Sequence, residues 1–123
     1  ASGDYFSFAT SSTWDPTNYQ TISFYIKLKT AFSNPNDNLT LTLRNSSAVQ
    51  LGSSVVLTHN AYGFQRTNIT SYQKISIPMK DFGAIGGSSI KSLRFTANPK
   101  GNNTLNFRID NIFLANFQRF SLP

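Results

Sequence analysis

The sequence predicts an all-β domain, an antiparallel β-sandwich of two facing sheets, and three observations point there. The first is a period of two. Ile22, Phe24, Ile26 and Leu28 alternate with Ser23, Tyr25, Lys27 and Lys29, and Leu39, Leu41 and Leu43 alternate with Thr40, Thr42 and Arg44. Such alternation gives a strand one apolar and one polar face. The second is punctuation: Ser33-Asn34-Pro35-Asn36-Asp37-Asn38 and Asn98-Pro99-Lys100-Gly101-Asn102-Asn103 have the composition of turns, Gly86-Gly87-Ser88-Ser89 reads as a flexible connector, and Pro78 ends a strand. The third is composition. The 123 residues contain no Glu, 11 Phe and 41 Ser, Thr or Asn, and no stretch keeps a helical period of 3.6.

In chain order the strands are expected at Tyr5–Phe8, Ile22–Lys29, Leu39–Arg44, Val49–Leu57 with a break at Gly52, Tyr72–Ile77, Ile90–Thr96 and Leu105–Leu114. Met79–Phe82 has room for one short turn. The apolar faces of two such sheets meet in a core, and two outer faces remain for solvent or ligand. Neither an internal repeat nor a linker interrupts the pattern, so residues 1–123 are read as one domain, a size at which one core holds without staples. Ala1-Ser2-Gly3 reads as the start of a mature or excised domain.

The same residues exclude several chemistries. Without Cys there is no disulfide framework, thiolate metal site or cysteine nucleophile, and one His cannot build a His-rich metal centre. The longest apolar runs, about five residues, are far short of a membrane span. Glycoside hydrolysis requires two carboxylates around the scissile bond. The acids are Asp4, Asp15, Asp37, Asp81 and Asp110. Asp15 and Asp37 sit in turn contexts and Asp81 at a strand end, where an Asx side chain shapes the backbone. No Gly-x-Ser-x-Gly elbow accompanies His59, and no phosphate-binding glycine motif is present. The chain is therefore expected not to be an enzyme.

Three segments resemble the jelly-roll, galactose-binding-like carbohydrate-binding modules. Tyr72-Gln73-Lys74-Ile75-Ser76-Ile77-Pro78-Met79-Lys80-Asp81-Phe82 resembles their W/Y-x-x-(V/I)-x-IP-(L/M)-x-x-F segment. Ile90-Lys91-Ser92-Leu93-Arg94-Phe95 is similar to the strand after it. Phe107-Arg108-Ile109-Asp110-Asn111-Ile112-Phe113-Leu114 is similar to their closing (F/Y)-x-IDN(I/V)-x-L strand. The resemblance implies a jelly roll, a non-catalytic role, and a structural Ca²⁺ with Asp110 as ligand and Asp4 as partner. Six to eight oxygens are what that ion takes, and the chain has few carboxylates to give. It also implies that the strands of Arg44 and Arg94 share one sheet, the usual glycan-binding one. Those of Lys27, Lys74 and Arg108 then form the other.

The candidate ligand residues follow from chemistry. Exposed Trp and Tyr rings give the C–H faces of sugars a rigid platform. Trp14, the only Trp, lies in the polar stretch Ser11–Asn18 and is either a core residue or such a platform. Tyr62, beside Gly63, is the other candidate ring. Guanidinium groups form bidentate contacts with carboxylate or sulfate oxygens. Arg44 and Arg94 are expected on one face with Thr42 and the other threonines between them, and Arg66 and Tyr62 on a neighbouring strand. A net charge of +6 with outward-facing cations then suggests an anionic polysaccharide, a uronate polymer or a sulfated glycan.

The expected protein is a monomeric, secreted module that holds an appended catalytic domain on its substrate. Nucleic acid is not expected as a partner, because the basic residues are unclustered in sequence and no RNP, KH or zinc motif is present. The competing assignments for the outer faces are an ordinary solvated surface and a structural or adhesive sandwich of a surface or virion protein. Sequons at Asn38, Asn45, Asn68 and Asn102 are expected by chance in so Asn- and Thr-rich a chain.

Overall fold

The computed structural model describes residues 4–14, 21–83, 90–100 and 104–115. Seven strands form two antiparallel sheets: β1 (Tyr5–Trp14), β2 (Thr21–Leu28), β3 (Asn38–Arg44), β4 (Gln50–Leu57), β5 (Gln73–Pro78), β6 (Ile90–Asn98) and β7 (Phe107–Ala115). The four-stranded sheet has the order β1-β6-β3-β4 and the three-stranded sheet β5-β2-β7. Short 3₁₀ turns occupy Ala61–Gly63 and the anticipated Met79–Phe82.

The alternation in β2 and β3 places Ile22, Phe24, Ile26, Leu28, Leu39, Leu41 and Leu43 wholly out of solvent. Phe24 of one sheet meets Phe95 of the other edge to face, with ring centroids 5.1 Å apart. Aromatic pairs prefer this geometry because the positive ring edge meets the negative face. Phe95 in turn stacks on Phe6, 5.2 Å away, which ties the edge strand β1 to the core. Because β1 is an edge strand, Phe6 and Phe8 stay partly exposed.

Strand β1 runs on to Trp14, well past the expected Phe8, and Trp14 pairs with Ile90 through a register shift after Ala9. Backbone pairing with β6 extends it where Thr10–Thr13 offer no apolar alternation to read. Asp15, the Gly86–Ser89 connector and Asn102 lie outside the described residues.

Two polar devices hold the ends of the sandwich. Asp37 is completely buried, and its carboxylate accepts from the Asn34 N–H (3.0 Å) and from the Lys100 N–H (2.6 Å). The first bond is the turn role expected of it. The second joins the loop before β3 to the loop after β6. Gln73 of β5 donates its amide to the Gln65 carbonyl (3.0 Å) and accepts the Gln65 N–H (2.7 Å). One side chain thus satisfies both backbone groups of Gln65, a requirement wherever peptide units are removed from water.

Candidate functional site

The outer face of the four-stranded sheet is laid out in rows by the registers. Tyr5, Thr96, Thr40 and Val56 form one row, because Tyr5 pairs with Thr96, Thr96 with Thr40 and Thr40 with Val56. Ser7, Arg94 and Thr42 form the next, and Ala9, Ser92, Arg44 and Gln50 the third. Arg44 and Arg94 therefore share one sheet, as expected, and Lys27, Lys74 and Arg108 lie on the other.

Tyr5, 58% exposed, holds the Arg94 guanidinium over its ring at 3.9 Å from carbon to centroid. That is a close cation–π contact, and Arg94 Nε also donates to Ser7 Oγ at 3.4 Å. Arg44 Nε donates to Thr42 Oγ1 (3.2 Å) and its terminal nitrogen to the Ala48 carbonyl (3.0 Å). Ala48 has a positive φ of 63°, a left-handed conformation that costs a non-glycine residue energy. Desolvation, and after it the charge of Arg94, hold the Arg44 pKa below its ordinary value. The guanidinium stays protonated nonetheless. The two arginines and Tyr5 make a rigid polar and aromatic platform. At one end of it Asn98 Nδ2 donates to Asn38 Oδ1 (2.9 Å) and Thr40 Oγ1 (2.7 Å).

Several expected site residues are placed differently. Thr42 is in the right row but only 4% exposed, so its hydroxyl supports Arg44 and does not face a ligand. Tyr62 and Arg66 are not on a strand beside Arg44, because the chain leaves the sheet after β4. Tyr62 sits in the Ala61–Gly63 turn with a positive φ of 54°, packs part of its ring on the core, and donates its hydroxyl to Asp81 Oδ2 at 2.8 Å. Burial first, then the Asp81 bond and charge, raise its pKa. Arg66 donates to the Phe32 carbonyl (2.8 Å), and its backbone N–H donates to His59 Nδ1 (3.2 Å). Both residues fasten loops. The Trp14 backbone ends β1, and its indole lies outside the described side chains.

The two aspartates expected to share Ca²⁺ stand on different sheets. Asp4 precedes β1, gives its carbonyl to the Ala97 N–H, and lines a cleft with Thr104–Phe107. Asp110 is three residues beyond Phe107, roughly 10 Å along an extended chain. It is exposed, its register partner is Tyr25, and its Oδ1 accepts the Asn111 N–H at 2.9 Å. Among the described residues no three His, Asp or Glu side chains gather.

Tyr5 is the residue the sequence reasoning missed. Its parity was legible, since Phe6 and Phe8 point inward and Tyr5 and Ser7 must point out. Its neighbour was not, because the stack needs the β1–β6 register.

Neither a family model nor a curated protein matches the sequence. Solved structures do match in fold. One is the family 11 carbohydrate-binding module of the cellulosomal cellulase Lic26A-Cel5E of Clostridium thermocellum. It is 21% identical, with a TM-score of 0.59 over 98% of this chain and 74% of that one. Another is a family 11 module from the same organism in complex with a β-1,3-1,4-mixed-linked tetrasaccharide. It is 21% identical, with a TM-score of 0.57 over 94% of this chain and 72% of that one. The chain has the jelly-roll fold of these modules.

Proposed function

We propose that the protein is a non-catalytic polysaccharide-binding module whose site is the outer face of the four-stranded sheet. The observation that carries this reading is the Arg94–Tyr5 stack at 3.9 Å, on an exposed ring at the β1 edge of a polar sheet face. A ring already ordered by a guanidinium loses little freedom when a sugar lies on it. Arg44, fixed by Thr42 and Ala48, offers its remaining N–H groups to hydroxyl or carboxylate oxygens nearby. A neighbour of the same fold that was solved with a bound tetrasaccharide supports the ligand class. The roles of Asp37 and Asp81, one sealing two loops and the other accepting from Tyr62, support a surface without hydrolytic carboxylates there.

The finer reading is an acidic chain, uronate or sulfated, bound by a secreted monomeric module that keeps an appended catalytic domain near substrate. The net charge of +6 supports it. Affinity for a short oligosaccharide is in the micromolar to millimolar range, since a shallow polar site exchanges water for sugar at small net gain. Native gels containing single polysaccharides test the proposal. Retardation in one glycan, abolished by Arg94→Ala at unchanged melting temperature, supports it. Equal mobility of wild type and variant in every glycan removes it, and leaves a structural or adhesive sandwich.

A further inference from the structure

The outer face of the three-stranded sheet carries charge that the protein itself does not use. Lys27 of β2 and Arg108 of β7 are direct register partners. Directly opposite side chains stand about 4.5–5.5 Å apart at Cβ, and like charges so placed destabilise a sheet. Lys29 follows two residues on along the same side, and its backbone N–H is fixed to the Asn106 carbonyl at 3.0 Å. With Leu28 and the exposed Ile69, these three cations line a cleft of about 290 Å³. Among the described residues none of their heads meets a carboxylate or another hydrogen-bonding side chain. Lys74, on the same face, instead lies over the Phe113 ring at 5.6 Å. The nearby acid, Asp110, is opposite Tyr25 and bonded to the Asn111 N–H.

We propose that this cleft is a second ligand site, which takes the sulfate or carboxylate groups of an anionic polysaccharide on the side of the sandwich opposite the Tyr5–Arg94 platform. Folding does not explain like charges facing one another, whereas a bound polyanion turns that repulsion into attraction. The site holds one planar fork and two mobile ammonium groups, a set suited to clustered oxyanions. No aromatic ring lines it, and single-stranded nucleic acids rely on bases stacked along such rings. An acidic glycan, whose charges project from a ring backbone without flat bases, fits better. The inference does not depend on the first face binding anything, because the two sites share no residue.

Calorimetric titration tests it with four probes: a sulfated heparin-derived tetrasaccharide, a tetragalacturonate, a neutral mixed-linkage glucan tetrasaccharide and an oligouridylate. Wild type is expected to bind one of the two charged glycans more tightly than the neutral one, and which of them distinguishes sulfate from carboxylate. Lys27→Gln/Lys29→Gln/Arg108→Gln is expected to weaken that binding at least about tenfold. In a Tyr5→Ala/Arg94→Ala background, where the first face is disabled, the charged glycan is still expected to shift the Lys27, Lys29 and Arg108 amides. Raising NaCl from about 50 mM to about 500 mM should abolish the difference between charged and neutral probes. The triple variant should melt no lower than wild type, since a like-charge pair is removed. Amide shifts of Lys27, Lys29 and Arg108 during titration of wild-type protein give a readout that needs no variant. Unchanged affinity in the triple variant, shifts confined to the first face, or tighter binding of oligouridylate than of either charged glycan would each overturn the proposal.

Discussion

On the four-stranded sheet, Arg94 lies on Tyr5 and Arg44 is held by Thr42 and the Ala48 carbonyl. On the three-stranded sheet, Lys27 and Arg108 confront each other across a ladder. Both faces are cationic, yet the first has neutral partners that fix its guanidinium groups and the second has like charges that push apart. A fixed group gives shape and orientation at small entropic cost. A mobile lysine keeps about 2 kcal/mol of rotamer freedom, part of which is lost when it binds. On the proposed reading, the first face recognises a surface and the second attracts charge. Formal charge alone does not separate the two.

The comparison can be broken at the frame beneath the first face. Asp37→Ala leaves the Asn34 and Lys100 N–H groups without their buried acceptor, and the expected loss is about 2–3 kcal/mol in urea unfolding. Hydrogen exchange should quicken first where β3 meets β6, while amides of the three-stranded sheet hold. Equal quickening in both sheets would show that the faces share one support.

Removing the ring itself should have the next largest effect. Tyr5→Ala is expected to cost about 2 kcal/mol of polysaccharide affinity, some 30-fold, with little change in stability, as measured by affinity electrophoresis. Lys27→Ala should leave retention by a neutral glucan untouched. If the two variants behave alike, the distinction between recognition and charge attraction fails. Arg44→Ala should cost less, about 1 kcal/mol of affinity, because Arg94 still orders Tyr5.

The smallest effect lies away from both faces. The Tyr62 phenol is neutral in the folded protein and its pKa stands above the ordinary 10.0. The stability it contributes is complete below pH 10 and drains away as pH climbs through the raised value. Tyr62→Phe should flatten that alkaline fall in a melting-temperature series. An unchanged alkaline limb would mean that the Asp81 bond carries no linkage.

Much of this architecture was legible in the residues. The alternation in β2 and β3 reports burial directly, because a strand with one face in the core can carry polar groups only on the other. That same parity sent Arg44, Arg94, Lys27, Lys74 and Arg108 outward. What alternation does not report is which outward residue becomes whose neighbour. Arg94 over Tyr5 and Lys27 against Arg108 both depend on register, which joins residues 80 or more positions apart in the chain. Tyr62 and Arg66 were misplaced for a different reason. Their polar, glycine-containing stretch has the composition of a strand continuing the sheet, but it leaves the sheet and docks through a tyrosine hydroxyl and a guanidinium. Asp37 looked like a simple turn former, and its long bond to the Lys100 backbone has no local signature.

Gln73 carries one more consequence. Its amide meets the peptide of Gln65 as a strand would, giving and receiving one bond each. Beside the bonds of Tyr62 and Arg66, the connection from β4 to β5 is therefore clipped on by one further functional group. Exchanging that nitrogen for oxygen, Gln73→Glu, keeps the outline and reverses half of the clip, setting a negative oxygen against a carbonyl. Loops grafted between these strands could differ in length and wording so long as the clip, its peptide, the buried Phe64 and the Tyr62 and Arg66 bonds survive, which makes this corner of the sandwich a place to attach new sequence.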